Sequence, residues 1–403
     1  MWTQVAGANH VNLETKQRFQ PREFVLKLCL SITLGLTLLA LGEMAAFLML
    51  RSLPPPPEPP GHTFDQSIYQ GQAWVEQYRR EFEASRKARY QSYVVWRRAP
   101  FSGETISVDS QGIRRTFHSR CDDKTYTIWV FGDSALWGTG APDWATIPSF
   151  LAEQYEKVGY PVCVKNYGET GWVMTQGVIE LTLELKRANK KPDLVIFYDG
   201  TAESFLPYQQ DEVDQHMNFA SIKQKFESEA PKEAAGFGYL RRTNTFQALE
   251  RAAEKLDRNQ ASFGNTRVSE EPAISAKDAA AMARITLTNY LKNMEIVQVL
   301  ARGYGFRYAF FWHPTLLAGQ KPLTAEEESL RRVEEKRHPS FVPVCRATYD
   351  LFRTTNHPNL YYLGDIFNDH KESLYENFSH TGPEGNRLIA ARIFEILHQP
   401  GSR

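Results

Sequence analysis

The chain has 403 residues, 42% of them hydrophobic, and its 47 Lys+Arg balance 47 Asp+Glu. That length allows one large domain or two smaller ones with a sizeable core, and the zero net charge excludes the basic footprint of a nucleic-acid-binding protein. The 12% aromatic content is core material, with enough left over to line a sugar or lipid cleft.

Residues 28–50 form a 23-residue stretch with a single charge, Glu43. As a helix it spans the ~30 Å apolar thickness of a bilayer. It is too long for the apolar region of a signal peptide, and no small-x-small cleavage site follows it, so it reads as an uncleaved signal anchor. Lys16, Arg18, Arg22 and Lys27 precede it and only Arg51 follows closely. The positive-inside rule then gives a single pass through the cell (inner) membrane, with residues 1–27 cytoplasmic and 51–403 extracytoplasmic, periplasmic in a two-membrane cell. Glu43 is expected to snorkel or stay protonated; a contact with a partner helix is the alternative.

Residues 51–65 carry Pro54, Pro55, Pro56, Pro57, Pro59 and Pro60, a stiff spacer of ~3.1 Å per residue. A lead-in segment, 66–120, follows. Its residues 66–90 are charged with aromatic punctuation and predict an amphipathic helix; Ile106 to Ile113 predict a short hairpin.

From Tyr126 strands and helices alternate. Strands are predicted at 126–131, 162–167, 193–199, 307–312 and 360–364. Helices are predicted at about 146–158, 174–189, 276–303 and 324–354, with a last one beginning near Gly382-Pro383-Glu384. A polar insertion occupies about 204–275, and its part 254–275 has the composition of a mobile loop. Five buried strands separated by helices imply an α/β fold with a doubly wound parallel sheet. In such sheets the working residues gather beyond the carboxyl ends of the strands. Those ends carry Ser134, the 166–171 loop, the 199–203 loop, His313 and Asp365, with His380 just before the final helix.

Ser134 sits on a sharp turn between an apolar strand and a helix, where an α/β enzyme holds a nucleophile. The bland alternative is a serine that only caps a helix. Four blocks in order now resemble the SGNH (GDSL-type) hydrolase superfamily. They are Gly132-Asp133-Ser134, Asn166-Tyr167-Gly168-Glu169-Thr170-Gly171, Gly200-Thr201-Ala202-Glu203, and Asn377-Phe378-Ser379-His380 continuing into Thr381-Gly382-Pro383-Glu384-Gly385-Asn386. The resemblance covers about 121–398 and is closest to membrane-anchored bacterial members with an insertion after the third block. It implies a flavodoxin-like five-stranded fold over 121–403. It also implies an esterase: Ser134 as nucleophile, His380 as base, Asn377 at the position of the acid, and Ser134, Gly171 and Ala202 at the oxyanion positions. No cofactor or metal is called for, and no CxxC or HExxH spacing occurs.

Two positions depart from the family. Ala202 stands where an asparagine amide donates to the oxyanion, and Asn377 stands where the acid should be. Loss of one oxyanion donor typically costs ~10²–10³ in turnover. An Asp→Asn change beside the catalytic histidine costs ~10⁴ in serine proteases. Thr201 is a candidate substitute donor, and Ala202→Asn and Asn377→Asp are each expected to raise the rate. Asp133, Asp199 and Glu203 read as scaffold, and His313, before Pro314, as a packed rim residue.

The implied substrate is an ester, such as one on an envelope polysaccharide or lipid. The alternative is a catalytically impaired relative that binds an envelope polymer or a partner. Since the first two strands of this fold are neighbours, Cys121 and Cys163 fall at the same sheet end, and a Cys121–Cys163 disulfide is predicted with Cys345 free.

Overall fold

The computed structural model describes residues 21–52, 64–210, 215–227, 243–246 and 274–398. The polyproline run and nearly all of the 254–275 stretch lie outside them. The chain divides into two units, 1–59 with 230–265, and 60–229 with 266–403. In the first unit the apolar stretch forms helix α1, Pro21–Ser52, long and apolar enough to cross a membrane. The Glu43 carboxylate accepts the Asn244 N–H at 2.6 Å and the Thr245 N–H at 3.0 Å, so the charge within the apolar span is hydrogen-bonded rather than bare.

The second unit begins with the lead-in. Only Val75–Ser85 forms the amphipathic helix, α2. The predicted helix over 66–90 is shortened on both sides. Gly71 turns the chain at a φ of +75°, and Ala88–Gln91 (β1) instead pairs antiparallel with Val95–Arg98 (β2). Phe101–Ser102 (β3) and Ser107–Val108 (β4) form a further, unpredicted hairpin, while the predicted turn after Val108 is closed by an antiparallel bridge between Val108 and Arg114. Glu81 of α2 binds the β3–β4 turn: its carboxylate accepts N–H groups from Glu104, Thr105 and Ile106 and the Thr105 hydroxyl. Burial alone would raise this carboxyl, but the donors outweigh burial and hold it at about 2.

The strands β5 (Tyr126–Gly132), β6 (Val162–Asn166), β7 (Leu194–Asp199), β8 (Arg307–Trp312) and β9 (Leu360–Tyr362) make one parallel sheet in the order β6-β5-β7-β8-β9. This is the flavodoxin-like order, with the chain reversing direction of growth beside β5. Strand periodicity sends alternate residues to opposite faces. Ile128, Val130, Ile196 and Phe311 pack under helices Ile147–Lys157 (α4) and Pro383–His398, the last helix. Trp129, Phe131, Phe197, Phe310 and Trp312 pack on the other face, under Met174–Arg187 (α5) and the long helix Ala276–Tyr304. Both faces are covered, which is why these strands read in sequence as continuous apolar runs.

One predicted helix is two. The stretch 324–354 forms Ala325–Arg337 and Phe341–Thr354, interrupted at His338-Pro339-Ser340. Proline has no N–H for the helical ladder and its ring crowds the preceding turn. The described residues at the start of the insertion include helices Thr201–Gln210 and Phe219–Glu227. Cys121 and Cys163 are disulfide-bonded with Cα atoms 4.6 Å apart, and Cys345 is free and buried.

Candidate active site

The register of the sheet assembles the site. Gly132 at the end of β5 lies opposite Tyr198 of β7, and Val130 lies opposite Asn166 of β6. Ser134, Gly171 and Ala202 therefore follow the carboxyl ends of three adjacent strands, β5, β6 and β7. A Cβ on Gly132 would come within 2.1 Å of the Tyr198 carbonyl oxygen, so only glycine lets β5 enter the turn this close to β7.

Asp133 and Ser134 open a four-residue helix, α3 (Ser134–Trp137). Asp133 caps it, accepting the Ala135 N–H at 2.8 Å. Its other oxygen lies 3.2 Å from His313 Nε2. Burial pushes the Asp133 carboxyl up, but its contact with His313, the neighbouring His380 and the Ala135 N–H together outweigh burial and hold it below the usual carboxylate range. The following Gly-rich turn is clamped by buried Arg114, which donates to the Gly138 and Ala141 carbonyls at 2.7 Å each and to Asp143 at 2.8 Å.

Across the site, Tyr375 and Thr381 form an antiparallel bridge, which projects residues 376–380 as a loop. His380 Nε2 lies 2.7 Å from Ser134 Oγ, although the two residues are 246 positions apart. Asn377 is at the other ring nitrogen, with Oδ1 3.0 Å and Nδ2 2.8 Å from His380 Nδ1. Its Oδ1 also accepts the backbone N–H groups of Ser379 and His380, so the amide orientation is set by the loop. Its Nδ2 donates to Glu376 Oε2 at 2.5 Å.

On the oxyanion side, Ser134 is the first residue of a helix, so its N–H has no intrahelical acceptor. Gly171 has a φ of +74°, in the left-handed region, within the loop that Glu169 N–H ties to the Gly132 carbonyl. A Cβ there would meet Met217 Sδ at 2.5 Å, so the insertion returns to cover this loop. Ala202 lies in the first turn of Thr201–Gln210 and has no side-chain donor.

Three expectations are corrected or refined. Thr201 is not a substitute donor: it is buried, with its hydroxyl 3.2 Å from Tyr349 OH and its N–H donating to His313. His313 is not a rim residue but is fully buried against Asp133, donating from Nδ1 to the Pro314 carbonyl. Asp199 and Glu203 are scaffold: Asp199 accepts from Tyr290 OH and Glu203 accepts the Met174 N–H that opens α5. Burial, with Glu203 and Asp133 nearby, raises Asp199 well above the usual carboxylate range. Sequence reasoning missed Glu376 and Met217. The first had a signal, an acidic residue four positions before His380; the second had none, because the insertion's path is a tertiary fact.

Two cavities lie outside this arrangement. One of about 630 Å³ is lined by Lys321, Arg331, Arg346 and Arg353, and one of about 350 Å³ by Trp74, Trp144, Phe150 and the turn at Gly382. Neither Ser134 nor His380 lines either, so neither is assigned to the reacting ester. Among the described residues no cluster suited to a metal ion occurs.

The serine after β5 and the histidine before the last helix meet at the carboxyl edge of this α/β sheet, where the sequence resemblance placed them. No protein-family model and no curated protein matches the chain. Solved structures similar to it include a lipolytic protein of the G-D-S-L family from Veillonella parvula, at 12% identity, covering 68% of this chain and 99% of that one with a TM-score of 0.34. A lipase/acylhydrolase from Enterococcus faecalis matches at 13% identity over 68% of this chain and 95% of its own, with a TM-score of 0.32. The acetyl xylan esterase AlAXEase matches at 12% identity over 67% and 99%, with a TM-score of 0.33. TM-scores this low leave the chemistry to be read from the site's own geometry.

Proposed function

We propose that this chain is a membrane-anchored, extracytoplasmic ester hydrolase with Ser134 as nucleophile and His380 as general base. The observation that carries the reading is the 2.7 Å contact between Ser134 Oγ and His380 Nε2 at the carboxyl edge of the sheet. His380 takes the Ser134 proton as Oγ attacks the ester carbonyl. The backbone N–H groups of Ser134 and Gly171 hold the oxyanion. The C–O bond to the alcohol then breaks, the proton on His380 passes to the leaving oxygen, and water releases the acyl group by the same route.

Ala202 leaves the oxyanion with one donor fewer than the family's usual set, so turnover is slow. The anchor helix and the Cys121–Cys163 disulfide fit an oxidising compartment outside the cytoplasm, where an ester on an envelope polysaccharide or lipid is the natural substrate. The test is labelling of the full chain by a fluorophosphonate, with hydrolysis of small activated acetyl esters in parallel. Labelling and turnover that vanish in Ser134→Ala are expected. A wild-type protein with neither is not a hydrolase, and the role of binding an envelope polymer replaces this one.

A further inference from the structure

We propose that Glu376 supplies the negative charge that position 377 lacks, acting on His380 through the Asn377 amide. The inference rests on the Ser134–His380 reading above. Glu376 is 2% exposed, and its Oε2 lies 3.9 Å from His380 Nδ1. The same oxygen accepts the 2.5 Å hydrogen bond from Asn377 Nδ2. A carboxylate buried this deeply is costly unless it is hydrogen-bonded or faces a positive charge. When His380 takes the serine proton it becomes that charge, and Nδ1–H has an acceptor in Asn377 Oδ1 at 3.0 Å. Glu376 is thus a positioning residue: the acid has moved one place along the loop, and an amide stands between it and the ring.

The other ionisable groups facing this corner do not compete. Burial raises the phenols of Tyr69 and Tyr78 above their ordinary value, Tyr78 to about 12, and Glu376 adds to both shifts, so both stay neutral. Arg114 faces Tyr78 and is committed to the Gly-rich turn. Asp133, on the nucleophile turn, is committed to Ala135 and His313.

This arrangement reverses the expectation that Asn377→Asp helps. An aspartate there puts a second carboxylate against Glu376 Oε2, and two carboxylates in contact share one proton. Moving the charge back, as Glu376→Gln with Asn377→Asp, restores a single acid at the imidazole.

The experiment measures the pH dependence of acetyl-ester hydrolysis and of Ser134 labelling in four proteins: wild type, Glu376→Gln, Asn377→Asp and the double variant. Glutamine keeps the acceptor for Asn377 and removes only the charge. Glu376→Gln is expected to lower the maximal rate about tenfold or more and to move the acid limb to lower pH, since a less stabilised imidazolium loses its proton earlier. Asn377→Asp alone is expected to be no faster than wild type, and the double variant faster than Glu376→Gln. A glutamate that merely holds the loop would leave the acid limb in place and would not be rescued by Asn377→Asp. An unchanged rate and limb in Glu376→Gln, in a protein whose Ser134 still labels, overturns the proposal and leaves the hydrolase standing. Should Glu376→Gln fail to fold, an Asn377→Asp variant faster than wild type overturns it equally. Absence of wild-type labelling removes both readings together.

Discussion

Replacing both disulfide cysteines, Cys121→Ser with Cys163→Ser, is expected to weaken the domain without touching the site. The bond closes a loop of 42 residues, and the chain-entropy relation for that length gives about 4 kcal/mol of stabilisation. Cys163 pairs with Thr127 near the amino end of β5, whereas Ser134 follows its carboxyl end. Seven residues at about 3.3 Å each separate the two ends by roughly 20 Å. Local loosening at the disulfide therefore has no short path to the Ser134–His380 contact. Urea unfolding followed by fluorescence, with and without a reducing agent, reads the first effect; the rate of Ser134 labelling in the absence of urea reads the second. The midpoint should fall in the double variant, a reducing agent should lower the wild type alone, and labelling should be unchanged. A midpoint unaltered by the substitutions refutes the entropic argument, and loss of labelling in a folded variant refutes the placement of the bond away from the site.

Further expectations follow from the same geometry. Ala202→Asn adds an amide donor on the oxyanion side and should raise kcat, up to ~10²-fold, with little change in KM; a loss of activity in a folded variant would mean that the first turn of Thr201–Gln210 does not face the oxyanion. Glu81 has a folded-state value of about 2, below the ordinary carboxylate value near 4.5, so its stabilisation is complete above that ordinary value and is lost as pH falls through about 2. The stability difference between wild type and Glu81→Gln should accordingly shrink between pH 5 and ~2, and thermal melts across that interval would expose a constant difference as a contradiction. Gly171→Ala forces an unfavourable φ and a clash with Met217, and is expected to reduce labelling more than it reduces the melting temperature; equal losses would mark Gly171 as a turn residue only.

Much of this molecule is legible in the order of its residues. Runs such as Trp129-Val130-Phe131 and Val195-Ile196-Phe197 are apolar at every position because both faces of the sheet are buried, and that alone implies helices on each side. Gly132-Asp133-Ser134 after such a run and His380 before the last helix mark the proposed nucleophile and base. The disulfide partners follow from which strands are neighbours. The break at Pro339 was also written in the chain, since proline cannot complete a helical ladder, although the apolar pattern runs through it. What only the tertiary structure decided concerns side chains whose meaning depends on partners far away in sequence. His313 is buried against Asp133, 180 residues distant, rather than placed at the rim. Thr201 is turned to Tyr349 and away from the oxyanion role its position invited. Glu376 and Asn377 are adjacent letters, and composition cannot say which of them addresses the imidazole; the loop's hydrogen bonds turn Asn377 Oδ1 to the backbone and its Nδ2 to the buried carboxylate. Periodicity records which face of an element is buried, because burial repeats with the backbone. Hydrogen bonding between loops has no period, so the site's electrostatics emerge only when the chain has closed.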